Sequence, residues 1–143
     1  MSRLMGVDYG DVRTGLAVSD ESGLLAVGIG TVMAAGNRKL IAEIILRASE
    51  YGVTGFVVGN PINMNGTYGP RSEKARDFAR ALERESGIPV TLFDERCSTM
   101  EAHSIMNLTQ TRGKKRKERV DTLSAEIILQ DYMDFKRSQG ENI

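Results

Sequence analysis

Three strand-like segments crowd into the first 33 residues, at 3–9, 13–19 and 25–33, and the turn signals "YGDV" and "DESG" leave almost no chain between them. Connections this short suit an antiparallel meander, since a parallel pair needs a crossover of a dozen residues or more. The chain then changes character. Asn37 is placed to cap a helix whose apolar residues Leu40, Ile41, Ile44, Ile45 and Ala48 recur at helical spacing, with Gly52 as its stop. "GFVVG", 55–59, is an uninterrupted apolar run, the pattern of a strand buried on both faces. Pro70 opens a second helix with Ala75, Phe78, Ala79 and Leu82 as its stripe before Gly87, and "PVTLFDE", 89–95, forms the last strand. Ser98 and Glu101 fit a capping box for a third helix with Ala102, Ile105 and Met106 on one face, and residues 120 to about 137 form the final helix. The order βββαβαβαα implies an α/β fold with a mixed sheet whose last strands join through right-handed crossovers.

At 143 residues, with no internal repeat, the chain reads as a single domain, 1–143. Its 41% hydrophobic and 27% charged residues are a globular mixture, and no apolar run approaches the roughly 20 residues of a membrane span. The N-terminus enters a strand pattern directly, without the regions of a signal peptide, and Cys97 is alone, so a cytoplasmic setting is expected. Nineteen basic residues balance nineteen acidic ones, so total charge says nothing of a polyanionic partner. Local charge does. "RGKKRKER", 112–119, carries six basic side chains against Glu118, a net of +5. Such a run repels itself and favours an exposed loop, serving as a solvated linker or as a phosphate-binding arm.

Acidic residues fall where strands and helices end. Asp8 interrupts an apolar strand between Gly6 and Gly10, which leave room for a ligand or another backbone to approach. Asp94 and Glu95 finish the last strand, and Asp121 opens the final helix on the side shared with Ser124, Ala125, Ile128 and Tyr132. Each has a local explanation as well: Asp121 fits an N-cap, and Asp94 fits a turn residue or a partner of Arg96. Asp8 is harder to explain locally, because a charge within a central strand is rarely buried without a partner. Carboxylates brought together repel and need a compensating cation, and Mg²⁺ or Mn²⁺ suits their hard oxygens. Two such ions about 4 Å apart activate water in phosphodiester hydrolysis.

The ordered set "GVDYGDVRTGLAVSD", "VVGNPINMNGTYGPRSEKARDFA", "FDERCSTMEA" and "RVDTLSAEIILQDYM" resembles the YqgF family of the ribonuclease H-like superfamily, described as Holliday junction resolvases or pre-ribosomal-RNA nucleases. The likeness covers nearly the whole chain. It implies a five-stranded mixed sheet of order 3-2-1-4-5 flanked by helices. It also implies a metal-dependent endonuclease that acts on structured nucleic acid, either a precursor of 16S ribosomal RNA or branched DNA, as a monomer or homodimer. Catalytic and metal-binding roles then fall on Asp8, Glu95 and Asp121, with Asp94 as a further candidate ligand. The chain departs from the better-known Holliday junction resolvases at Gly59 and Asn60, where those carry a glutamate.

Arg13 and Arg96 stand beside the acidic stretches, as phosphate ligands or as neutralising partners of the carboxylates. "NPINMNGTYGP" is a polar turn in which Asn63 and Asn65 offer amides to phosphate oxygens, and Lys114, Lys115, Arg116 and Lys117 are the centre of the basic run. Ser98 and Thr99 read as caps, His103 as a structural or exposed residue without a ligand partner, and Cys97 as a packing residue. Two other functions compete. Actin-like ATPases use a similar glycine-flanked hairpin to hold phosphates but need two such halves, and a non-enzymatic RNA-binding factor needs only the basic segment.

Overall fold

The computed structural model describes residues 3–10, 12–34, 36–60, 69–94 and 113–138, with side chains for all of these except Asp94 and residues 113–121. Five strands, β1 (Leu4–Asp8), β2 (Arg13–Ser19), β3 (Ala26–Met33), β4 (Gly55–Asn60) and β5 (Val90–Asp94), form one sheet of order β3-β2-β1-β4-β5. The first three pair antiparallel, and β4 and β5 add in parallel, so the carboxyl ends of β1, β4 and β5 share one edge. The strand order is the one the family resemblance implies, in a mixed sheet.

Among the described residues three helices cover this sheet: α1 (Asn37–Tyr51), α2 (Pro70–Ser86) and α3 (Gly113–Ser138). Strand alternation divides the side chains between two faces. Met5 and Val7 of β1, Leu16 and Val18 of β2 and Phe56 and Val58 of β4 pack with Leu40, Ile41 and Ile44 of α1 and Phe78 and Leu82 of α2. Ala17 and Val57 point the other way and pack with Ala125, Ile128, Leu129 and Met133 of α3. The expected stripe of α2 is buried, as is that of α1 except for the half-buried Ile45, and Pro70 is at the first position of α2.

Two expectations change. Asn37 is not the cap of α1: Gly36 occupies that place at φ +89°, a conformation suited to glycine, and the side-chain Oδ1 of Asn37 accepts a 2.8 Å hydrogen bond from the Tyr9 hydroxyl. The basic run is not a loop, because α3 begins at Gly113 and not near 120. Lys, Arg and Glu are good helix formers, and like charges one turn apart cost only a few tenths of a kcal/mol, roughly what a helix already nucleated by its packed half can carry. Of the two approaches the sequence leaves open at the glycines beside Asp8, backbone is the one observed. A Cβ on Gly6 would lie 2.8 Å from the Ala125 carbonyl oxygen and 2.8 Å from the Leu129 Cβ, and one on Gly10 would lie 2.2 Å from the Arg13 carbonyl oxygen. The helix expected from Ser98 lies outside the described residues.

Polar side chains of α3 also close the sheet's β3 edge. Glu126 accepts from the Gly28 N–H at 2.6 Å, and Gln130 accepts from the Ala26 N–H at 2.9 Å while donating to the Leu24 carbonyl. Arg137 donates to the Gly23 carbonyl at 3.0 Å and pairs with Asp134. An edge strand's unpaired amides invite other strands, and here a helix from a hundred residues away satisfies two of them.

Candidate nuclease site

Asp8 ends β1 opposite Gly15 of β2, and one step beyond the Val7–Val58 pair its neighbour on β4 is Gly59. Alternation puts it with Gly6 on the face that α3 covers. The residues level with it on the two adjacent strands, Gly15 and Gly59, are both glycines. Arg13, at the start of β2, has the parity of Gly15 and Ala17 and so belongs to the same face, beyond Asp8.

The contacts of α3 fix its direction. Gly28 meets Thr122 and Glu126, whereas Ala26 meets Gln130, so α3 runs antiparallel to β3 and therefore to β1. Gly6 lies against Ala125 and Leu129. Two residues along β1 from Gly6 to Asp8 are about 7 Å, equivalent to four or five residues of helix. Positions 121–124 therefore come level with Asp8, and position 121 is one turn from Ala125 on the helix face directed at the sheet. The first two turns of α3, which hold positions 114–117, extend about 10 Å beyond that level, at 1.5 Å per residue.

On β5, Val90 and Leu92 pack with the α1/α2 core and Phe93 with the α3 core. Position 94, opposite Asn60, has the parity of Leu92 and thus belongs to the face away from Asp8. Of the predicted site residues, the structure therefore brings Asp8, Arg13 and position 121 to one end of one face. Glu95, Arg96, Asn63 and Asn65 lie outside the described residues.

Two polar features were not singled out from the sequence. At the end of β4, Asn60 is buried and accepts a 2.7 Å hydrogen bond from the Ser72 hydroxyl on the first turn of α2, tying that helix to the sheet beside Asp94. Asn60 ends an apolar run, and that is the signal the sequence offers; Ser72 stands between Arg71 and Glu73 and carries none. Ser124 is fully buried on α3, and its Oγ has no hydrogen-bond partner. A serine three residues after an acidic candidate on a buried stripe was visible in the sequence; its isolation was not.

No described helix is long and apolar enough to cross a membrane. Compared with known proteins, residues 2–135 match the family described as "RuvX: Holliday junction resolvase". A protein of Geobacillus sp. (strain WCH70) named "Putative pre-16S rRNA nuclease" is 45% identical over 140 residues, covering 94% of this chain and 99% of its own length. One of the same name from Clostridioides difficile (strain 630) is 44% identical over 134 residues, covering 94% and 95%. Among solved structures, the T. thermophilus RuvC in complex with Holliday junction substrate aligns with a TM-score of 0.59 at 14% identity, over 98% of this chain and 97% of that one. The fowlpox virus Holliday junction resolvase aligns at 0.54 with 11% identity, over 93% and 99%. At these identities the two structures attest the fold alone.

Proposed function

The chain belongs to the RuvX family of nucleases, and we propose that it is a single-domain, metal-dependent endonuclease that trims precursor 16S ribosomal RNA in the cytoplasm, with branched DNA as the second substrate to test. The observation that carries this reading is the arrival of Asp8 and helix position 121 at the same end of the same sheet face, beside the carboxyl ends of parallel strands, where open α/β sheets bind ligands. The residues fit a hard divalent cation. Carboxylate oxygens are its preferred ligands, and a buried hydroxyl without a partner lies at the same level of α3.

Asp8 and Asp121 would hold Mg²⁺ or Mn²⁺ with Glu95 as the third ligand, preferred over Asp94 because position 94 has the parity of the opposite face. Such an ion, when bound, supplies a nucleophilic water at neutral pH and stabilises charge on the scissile phosphate. The protein's own tasks are to orient and to neutralise. Arg13, on the Asp8 face, and Arg96 would grip phosphate oxygens in the fork geometry of guanidinium. Asn63 and Asn65 would contact the backbone of the nucleic acid. Lys114, Lys115, Arg116 and Lys117 would ride on a helix that projects past the acids, so capture relies on a stiff basic extension and not on a loose arm.

The test is a cleavage assay with purified protein on precursor 16S RNA and on a four-way DNA junction, each with Mg²⁺, with Mn²⁺ and with chelator. Metal-dependent cuts in the RNA support the reading, and cuts confined to the junction move the substrate to DNA. Binding without cleavage of either would leave a non-enzymatic RNA-binding factor. The salt dependence of binding gives a second check. Four phosphate contacts from the basic turns would contribute up to about −3.6 to the slope of log affinity against log salt on duplex DNA, and Ala at all four positions should remove it.

A further inference from the structure

We propose that Ser124 is a positioning residue of the metal site, its hydroxyl accepting a hydrogen bond from a water in the cation's hydration shell. The inference rests on the metal-dependent reading above and adds a residue to it. Ser124 is completely buried, and among the described residues it holds the one buried side-chain oxygen or nitrogen without a hydrogen-bond partner. Leaving a hydroxyl in that condition costs about 1–3 kcal/mol. Alanine would avoid the cost at this position, as Ala125 does next to it, with equal burial and better helix propensity. An uncompensated polar group in an otherwise satisfied core calls for a ligand that the protein alone does not supply.

Its place in the fold says which ligand. Ser124 lies one turn after Asp121, and the antiparallel course of α3 brings it level with Asp8, between the heights of Gly6 and the strand end. Toward β4 the sheet offers Gly59 at this level and no side chain that could bond the hydroxyl. A small polar guest at this level would give the Ser124 hydroxyl the partner it lacks. Mg²⁺ and Mn²⁺ keep several of their waters when a few carboxylates hold them, and those waters are polarised, strong donors. Partners that orient a metal's ligands in this way are worth about 10- to 100-fold in affinity.

The experiment compares wild type with Ser124→Ala, without nucleic acid, by thermal unfolding in chelator and by calorimetric titration with Mn²⁺. We expect the variant to be at least as stable as wild type in chelator, because it loses an unpaired hydroxyl, and to bind Mn²⁺ about 10-fold or more weakly. Its metal-induced rise in Tm should shrink accordingly. An unchanged Mn²⁺ affinity would overturn the proposal, and so would a lower Tm in chelator, which would mean that the hydroxyl has a partner within the protein. Absence of Mn²⁺ binding by the wild type would overturn it together with the metal-dependent reading, whereas binding by both proteins alike would remove Ser124 only.

Discussion

The two faces of the sheet are built by opposite means. Toward α1 and α2 the contact is made by large side chains, with Met5, Val7, Phe56, Ile44, Phe78 and Leu82 all essentially buried. Toward α3, Ile128, Leu129 and Met133 are also large, but at the centre of the contact Gly6, Ala17 and Ala125 bring helix and strand so close that a single added methyl on Gly6 would strike both Ala125 and Leu129. A core of branched side chains can repack when its volume is conserved, so it supplies stability without demanding one exact register. Close backbone contact cannot slide in the same way. The face that carries Asp8 is the face whose helix is fixed, and a site of carboxylates from distant elements needs its geometry held to within about 0.5 Å.

The largest expected effect is chemical. Asp8→Asn should lower cleavage by about 10³-fold or more, since a lost metal ligand forfeits several kcal/mol of transition-state stabilisation, while circular dichroism and nucleic-acid affinity stay near wild type. Turnover within tenfold of wild type would remove Asp8 from the site. The contrast between the faces is tested next, with changes of similar size on each. Gly6→Ala should destabilise the fold by about 1–3 kcal/mol through overpacking and should also depress the activity of the fraction that remains folded. Ile44→Val on the opposite face should cost about 0.5–1.5 kcal/mol in denaturant titration and leave the activity per folded molecule unchanged. Equal losses of specific activity in the two variants would mean that the α3 contact has no special part in holding the site.

What the sequence revealed of this arrangement follows the range of the forces involved. Strand limits agree within a residue or two because alternation and turn residues act locally, and Pro70 and Gly87 mark α2 for the same reason, the latter at φ +70° with its N–H on the Glu83 carbonyl. The cap of α1 was assigned to Asn37 because asparagine is a good capping residue, but the chain enters through a positive-φ glycine, and Asn37 is drawn instead to Tyr9, 28 positions away. Charge repulsion suggested a loop at 113–119, although helix propagation outweighs it. Gly6 and Gly10 are legible as points of close approach, and backbone does approach there, whereas the presence of Gly15 and Gly59 level with Asp8 is disclosed only by the register. Asp8 and Asp121 could be nominated individually. That the backbone of position 121 comes level with Asp8 follows from the antiparallel course of α3, which no local pattern encodes.

A smaller effect belongs to the β3 edge, where α3 acts as a cover. Glu126→Ala should leave the Gly28 N–H without its side-chain acceptor and cost about 1–3 kcal/mol, with little change in cleavage per folded molecule. It should also expose part of an edge strand, so light scattering during prolonged incubation ought to rise relative to wild type. A variant with unaltered stability and scattering would show that water replaces the carboxylate there at no loss.

The smallest effect separates two aspartates that follow neighbouring strands. Asp8 is the proposed metal ligand. Asp20, after β2, is occupied locally, accepting from the Ser22 hydroxyl at 2.8 Å and from the Leu24 and Leu25 N–H groups at 3.2 and 3.3 Å. The Ser22 bond, aided by backbone donors at Leu25, Leu24 and Gly23 and opposed by a little desolvation, lowers its pKa from the ordinary 3.8. A depressed folded-state value means that the unfolded chain binds the proton more readily. The group's contribution to stability is thus complete above the unfolded pKa and fades as pH falls through the lower, folded one. Because Asp20 is fully exposed to solvent screening, the contribution is small. Denaturation of wild type and Asp20→Asn should differ by a constant offset from neutral pH down to about pH 5, and the curves should draw together in the window below 3.8. An offset that persists unchanged to the lowest accessible pH would assign the turn's stability to hydrogen-bond geometry that the amide preserves or loses irrespective of charge, and the Asp20 carboxylate would then have no electrostatic part in it.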